Sequence, residues 1–123
     1  MKLTTLKVRR EFLRIRGGAR WSCANFVLET KPRVEHAENI KGPRFGFTVT
    51  KALGGAVVRN RIRRRLKSAV QGLVDGSARD NHDYVLIARA GAGSAEFKSL
   101  QKDLEQALQR VHHPRKEGPR KPN

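Results

Sequence analysis

Gly54-Gly55-Ala56-Val57-Val58-Arg59-Asn60-Arg61-Ile62-Arg63-Arg64-Arg65-Leu66-Lys67 is the stretch around which the chain is organised. Six of the nine residues from Arg59 to Lys67 are basic, yet apolar residues recur through and beyond them at Val58, Ile62, Leu66, Ala69 and Leu73. Steps of four, four, three and four trace one face of an α-helix. The spacing predicts a helix from about Ala56 to Leu73, fixed to a core along one side. At about 100° per residue, Arg59, Arg63 and Lys67 form a row beside the apolar seam. Arg61 and Arg65 form a second row on the other flank, with Arg64 and Asn60 at the back. A guanidinium is planar, permanently charged and presents a fork of donors, so fixed arginines suit phosphate. Such a helix is either a solvated face or a grip on a polyanion. No acid offsets the run, and like charges at i, i+4 destabilise an isolated helix, which favours the second.

Upstream, Arg44-Phe45-Gly46-Phe47-Thr48-Val49-Thr50 alternates Phe45, Phe47 and Val49 against Gly46, Thr48 and Thr50. This is a strand with one apolar face. Its small polar face is either solvated or lets an extended ligand lie close. Lys51 to Gly55 is the turn into the helix. The glycines there allow a tight turn or a phosphate contact at the helix N-terminus, but the Gly-Lys-Ser/Thr ending of a nucleotide-binding loop is missing. Downstream, Asp83-Tyr84-Val85-Leu86-Ile87-Ala88-Arg89 is a continuous apolar run, as in an inner strand covered on both faces. Asp75 to His82 forms a polar loop before it, and Ala90 to Gly93 turns after it. Ser94 is placed to cap a last helix with Phe97, Leu100, Leu104, Leu108 and Val111 on its buried side.

At the other end, residues 1–7 read as an irregular basic arm. Val8 to Arg16 reads as a short helix with Val8, Phe12 and Ile15 on one side, closed by Gly17-Gly18. Ala19 to Thr30 carries one or two strands, broken near Ala24-Asn25, and Pro32 to Pro43 is a loop. The order is α-β-β-β-α-β-α: an α+β two-layer sandwich with about four strands in a mixed sheet. One domain spans residues 1–111. Residues 112–123, with three prolines, one glycine and four Lys or Arg, read as a disordered basic tail.

The net charge of +16 comes from 27 Lys and Arg against 11 Asp and Glu in 123 residues. It is polarised, since no acid occurs from Asn39 to Val74, where nine basic residues do. That pattern marks a surface for a polyanion. The single cysteine, Cys23, excludes an intramolecular disulfide and fits a reducing cytosol. No apolar run approaches the ~18 residues of a membrane span, and no signal peptide is visible. Catalytic constellations are absent. His36, His82, His112 and His113 fall in loops or the tail without zinc-site spacing. Asp75, Asp80 and Asp83 surround one loop and either touch a cation or are merely capped and solvated. Phe12 and Phe26 fit core positions, or else present ring faces to unstacked bases.

The strand Phe45-Gly46-Phe47-Thr48-Val49-Thr50-Lys51, the turn Gly54-Gly55-Ala56 and the helix segment Val57-Val58-Arg59-Asn60-Arg61-Ile62-Arg63-Arg64 together resemble the protein-subunit family of bacterial ribonuclease P. Arg10-Glu11-Phe12 and the strand Asp83 to Arg89 fit the same family, and the match runs in order over about residues 6 to 111. The resemblance implies a left-handed β-α-β crossover, an exception to the usual rule. It implies a cytoplasmic 1:1 ribonucleoprotein, with a monomeric protein, that removes the 5′ leader of precursor tRNA. Hydrolysis is then carried by a catalytic RNA with Mg²⁺, with no catalytic side chain, no metal site and no membrane contact in this chain. By the same resemblance, Arg59, Asn60, Arg61, Arg63, Arg64, Arg65 and Lys67 bind RNA. Phe12, Arg16, Thr48, Lys51, Arg59, Arg63 and Lys67 then line a cleft for the leader.

The two rows imply a division of labour: Arg59, Arg63 and Lys67 toward the leader, Arg61 with Arg64 or Arg65 toward the catalytic RNA. Three departures stand out. Gly54-Gly55-Ala56 replaces the family's Gly-Asn-Ala, Arg16 replaces a second aromatic in the first helix, and Glu29 replaces an aromatic after the second strand's apolar run. Leader binding here is accordingly expected to lean on charge more than on stacking. Composition alone leaves open a plain RNA-binding protein or a DNA-binding architectural protein; the motif order favours the ribonuclease P subunit.

Overall fold

A computed structural model of the chain describes residues 4–6, 9–33, 42–73 and 77–112. In order, the elements are β1 (Thr4–Thr5), α1 (Arg9–Ile15), β2 (Ala19–Ser22), β3 (Phe26–Pro32), β4 (Arg44–Thr48), a 3-10 turn (Lys51–Leu53), α2 (Ala56–Gln71), β5 (His82–Ala88), a second 3-10 turn (Ala90–Gly93) and α3 (Phe97–His112). The four longer strands and three helices follow the expected order. A two-residue strand is added where an irregular arm was expected: Thr4 and Thr5 run parallel to Arg44 and Phe45 at one edge. The sheet order is β1-β4-β5-β3-β2. β2, β3 and β5 pair antiparallel, while β4 and β5 are parallel neighbours joined through α2.

The two faces of the sheet are covered unequally, and this positions the site. On one face α2 and α3 bury a large core with Phe26, Leu28, Phe45, Tyr84 and Leu86 from the strands. Phe45 and Tyr84 are register partners on β4 and β5, and their rings stack at 4.9 Å between centroids. Among the described residues, the opposite face has α1 and Leu6 over it, making a small cluster of Leu6, Ile15 and Val85 flanked by Phe12 and Ile87. The continuous apolar run of β5 is the sequence trace of this double coverage. Gly17, at φ +88°, provides the left-handed residue that closes α1 and turns the chain into β2.

The apolar seam of α2 differs from its expected course at both ends. Ile62, Leu66 and Ala69 are buried, but Val58 is 44% exposed because the first turn of the helix overhangs the core. Near the C-terminus Val70 joins Ala69 and Leu73 inside, as a 3.6-residue period drifts from a strict four-residue step. Ser94 does not cap α3. Its N–H bonds the carbonyl of Gly91 to close the second 3-10 turn, and the helix begins three residues later, at Phe97. Two histidines expected outside regular structure lie within it: His82 opens β5, and His112 ends α3 with Nε2 2.5 Å from the Tyr84 hydroxyl. The tail beyond His112, the loop segment 34–41 and Asp75 lie outside the described residues.

Candidate nucleic-acid interface

On the thinly covered face, the space between α1, the sheet and α2 is a groove of about 660 Å³. Its wall is one stripe of α1 and the turn that ends it: Arg9, Phe12 and Leu13 of the helix and Arg16 just past it follow i, i+3, i+4, i+7 spacing and all line it. Its floor follows from strand register. Arg20, Glu29, Val85 and Gly46 form one row across β2, β3, β5 and β4; Ser22, Val27, Ile87 and Thr48 form the next. Glu29, Val85, Ile87 and Thr48 reach the groove, and Arg63 closes it from α2. The small polar face of β4 therefore borders the groove. A Cβ built on Gly46 would lie 2.5 Å from Cε2 of Phe12, so the absent side chain is what lets the ring rest on the floor.

Of the seven residues assigned to the leader cleft, Phe12, Arg16, Thr48 and Arg63 line this groove; Lys51, Arg59 and Lys67 do not. Lys51 is exposed in the first 3-10 turn. Arg59 folds back to donate from Nε to the Gly54 carbonyl at 3.1 Å. Lys67 is exposed further along α2. On the second flank, Arg65 is half-buried, donating from Nε to Ala92 O at 3.0 Å and from a terminal nitrogen to Ala95 O. Arg61 reaches Gly93 O at 3.4 Å but stays exposed. Arg65 thus braces α2 against the second 3-10 turn. Arg64 and Asn60 are exposed, and Asn60 Oδ1 accepts from Arg63 at 3.3 Å. Phe26, one of two rings considered for base stacking, is only 1% exposed and belongs to the core; Phe12 is the ring the groove presents.

A cluster beside α1 consumes arginines that composition alone assigns to the surface. Asp83 is fully buried at the start of β5, neither solvated nor set in a loop. Its carboxylate accepts from Arg14 at 2.8 Å, Arg33 at 2.8 Å, and Arg44 twice, at 2.9 and 2.7 Å. Arg44 also bonds Glu11 at 3.0 Å, tying α1 to β4. Burial pushes the Asp83 carboxyl up, but hydrogen bonds from Arg44 and Arg33 outweigh it and hold the group below the usual carboxylate range. The same bond to Asp83 makes Arg44 more basic still.

The sequence pattern also left Arg9, Leu13, Val85, Ile87 and Glu29 unassigned to the groove. The stripe on α1 was readable from helical spacing. Val85 and Ile87 were not, because an inner-strand pattern does not say whether helix or ligand covers the face. Among the described residues no three His, Cys, Asp or Glu side chains come together as a metal-binding set. Nor is any described helix long and apolar enough to cross a membrane.

A family model described as Ribonuclease P matches residues 1–112. A Ribonuclease P protein component from Brucella suis is 39% identical over 111 residues, covering 87% of this chain and 79% of that protein. One from Caulobacter vibrioides is 37% identical over 108 residues, covering 88% and 70%. Among solved structures, the RNase P protein of Staphylococcus aureus aligns with a TM-score of 0.69 at 30% identity, covering 88% of this chain and 94% of the other. The RNase P protein from Thermotoga maritima aligns with a TM-score of 0.71 at 23% identity, covering 86% and 96%, and attests the shared fold.

Proposed function

The chain belongs to the Ribonuclease P protein family, and on that footing we propose that it acts within a cytoplasmic 1:1 ribonucleoprotein that removes the 5′ leader of precursor tRNA. The observation that carries this reading is the groove: an apolar floor of Val85 and Ile87, one aromatic wall from Phe12, and arginines on its lining at positions 9, 16 and 63. A single strand of nucleic acid has flat apolar bases and a charged backbone. Bases fit the floor and the ring, where stacking contributes about 1–3 kcal/mol per base, while the arginines neutralise phosphates. A duplex offers no free base faces to such a floor.

The outer side of α2, with Arg61 and Arg64 exposed, is directed to the second partner, the catalytic RNA. Arg65 supports that surface rather than forming it, since its guanidinium holds the carbonyls of Ala92 and Ala95. Phosphodiester hydrolysis belongs to the catalytic RNA, and Mg²⁺ supplies Lewis-acid and water-activating chemistry there. Glu29 in the groove is engaged by Arg20 at 3.1 Å, and Glu11 by Arg44 at 3.0 Å. This chain positions the leader and offsets backbone charge.

Reconstitution tests the proposal. Catalytic RNA at limiting Mg²⁺ should cleave precursor tRNA efficiently only with the protein added, and the protein should tighten binding of leader-bearing precursor more than mature tRNA. No gain in cleavage, or equal tightening of both RNAs, would overturn it.

A further inference from the structure

Glu29 is an acid on the floor of a groove otherwise lined by arginines and apolar groups. It is 6% exposed, and its Oε2 accepts from Arg20 at 3.1 Å. Arg20 itself stands at the open edge of the sheet with its side chain 58% exposed. Among the described residues, no buried side-chain nitrogen or oxygen lacks a partner, and Arg20 is the side chain that bonds Glu29. The remaining oxygen is thus not sealed in the protein, and Glu29 lines the groove, to which Thr48 and Thr50 bring the neighbouring hydroxyls.

Resting on the leader-groove reading, we propose that Glu29 makes the groove base-selective, favouring a base with an exocyclic amino group over uracil at one leader position. A carboxylate oxygen only accepts. It repels a phosphate placed beside it, so the backbone of a bound strand is driven to the arginine rim and a base edge is turned toward the floor. Cytosine, adenine and guanine each present an amino donor that satisfies the carboxylate, as acidic side chains accept from the cytosine amino group in duplex recognition. Uracil has no amino group, and its imide N–H is flanked by two carbonyl oxygens that face the carboxylate unfavourably. Arg20 holds the carboxylate in place, and Val85 beside it supports the face of the base.

The test uses holoenzyme assembled from full-length protein and catalytic RNA, with precursor tRNAs whose leaders carry each base in turn at each position. Wild type should show one position where uracil weakens binding by about tenfold, a difference of about 1.4 kcal/mol. E29Q, whose amide can donate to a uracil carbonyl, should shrink the ratio between the cytosine and uracil leaders at that position toward one. A flat base profile in a complex that still distinguishes leader-bearing from mature tRNA overturns the role of Glu29 alone. So does an undiminished ratio in E29Q. A complex that does not distinguish those two RNAs removes the groove reading and this inference with it. Should E29Q fold poorly, E29A in the same assay must show the same narrowing of the ratio, and an undiminished ratio there overturns the role of Glu29.

Discussion

Replacing Asp83 by Asn keeps the shape of the side chain and removes its charge. Four hydrogen bonds from three guanidinium groups converge on the native carboxylate at 2.7 to 2.9 Å. Charge-assisted bonds contribute about 1.5–3 kcal/mol each in isolation, but these share one acceptor group and do not add. The governing quantity is the cost of leaving cations uncompensated where water is scarce, about 3–5 kcal/mol when one partner of a buried pair is removed. Arg14 retains 32% side-chain exposure, Arg44 13% and Arg33 6%, so water recovers part of the lost solvation. The expected loss is therefore at the lower end, about 3–4 kcal/mol, out of the 5–15 kcal/mol typical of a whole domain. Urea unfolding followed by circular dichroism measures it. The pH dependence gives a second reading of the same cluster. Because the folded carboxyl is held below its ordinary range, its contribution is complete above pH ~4 and is lost as pH falls through the folded value. D83N should accordingly flatten the acid limb of the stability curve. A loss under about 1 kcal/mol at pH 7, or an unchanged acid limb, would show that the arginines are satisfied without Asp83.

Arg65→Ala should destabilise the free protein by about 1–3 kcal/mol through two unsatisfied carbonyls. Arg64→Ala should change stability by less than about 0.5 kcal/mol while weakening binding to the catalytic RNA; parallel denaturation and RNA titrations separate the two. Gly46→Ala should drive the Phe12 ring out of its seat, costing about 1–3 kcal/mol, and weaken leader-bearing precursor more than mature tRNA. Equal losses on both RNAs would disconnect the ring from the leader. His82 is held below its usual range by burial, then by the nearby charges of Arg79 and Arg33. Its contribution is complete above pH ~6.5 and is lost as pH falls through the folded value. H82Q should therefore lose less stability than wild type between about pH 7 and pH 5, and identical losses in paired denaturation curves would refute the assignment.

Local periodicity carried the parts of the fold that depend on neighbours in sequence. The seam Ile62, Leu66, Ala69, the alternation of β4 and the apolar run of β5 each record burial by their own spacing. The Asp83 cluster left no such record. Arg14, Arg33 and Arg44 have the same composition signature as arginines that grip phosphate, and only the meeting of α1, β3, β4 and β5 separates internal from external use. The two rows on α2 were visible on a helical wheel. The wheel could not show that Arg65 is occupied by the second 3-10 turn, or that Arg63 alone of its row lines the groove. Glu29 read as a departure from the family's aromatic, and its place on the groove floor needed the strand register.

The groove takes Phe12 from α1, Glu29 from β3, Thr48 from β4, Arg63 from α2 and Ile87 from β5. No contiguous fragment holds more than a part of it, so the unfolded chain has nothing equivalent to offer a leader. Occupancy is thereby coupled to global unfolding. A ligand at a hundred times its dissociation constant adds about 2.7 kcal/mol to the folded state. RNA in this groove would act as a folding ligand for a chain whose like charges oppose compaction, and its loss would expose the protein to proteolysis as a whole rather than at one loop.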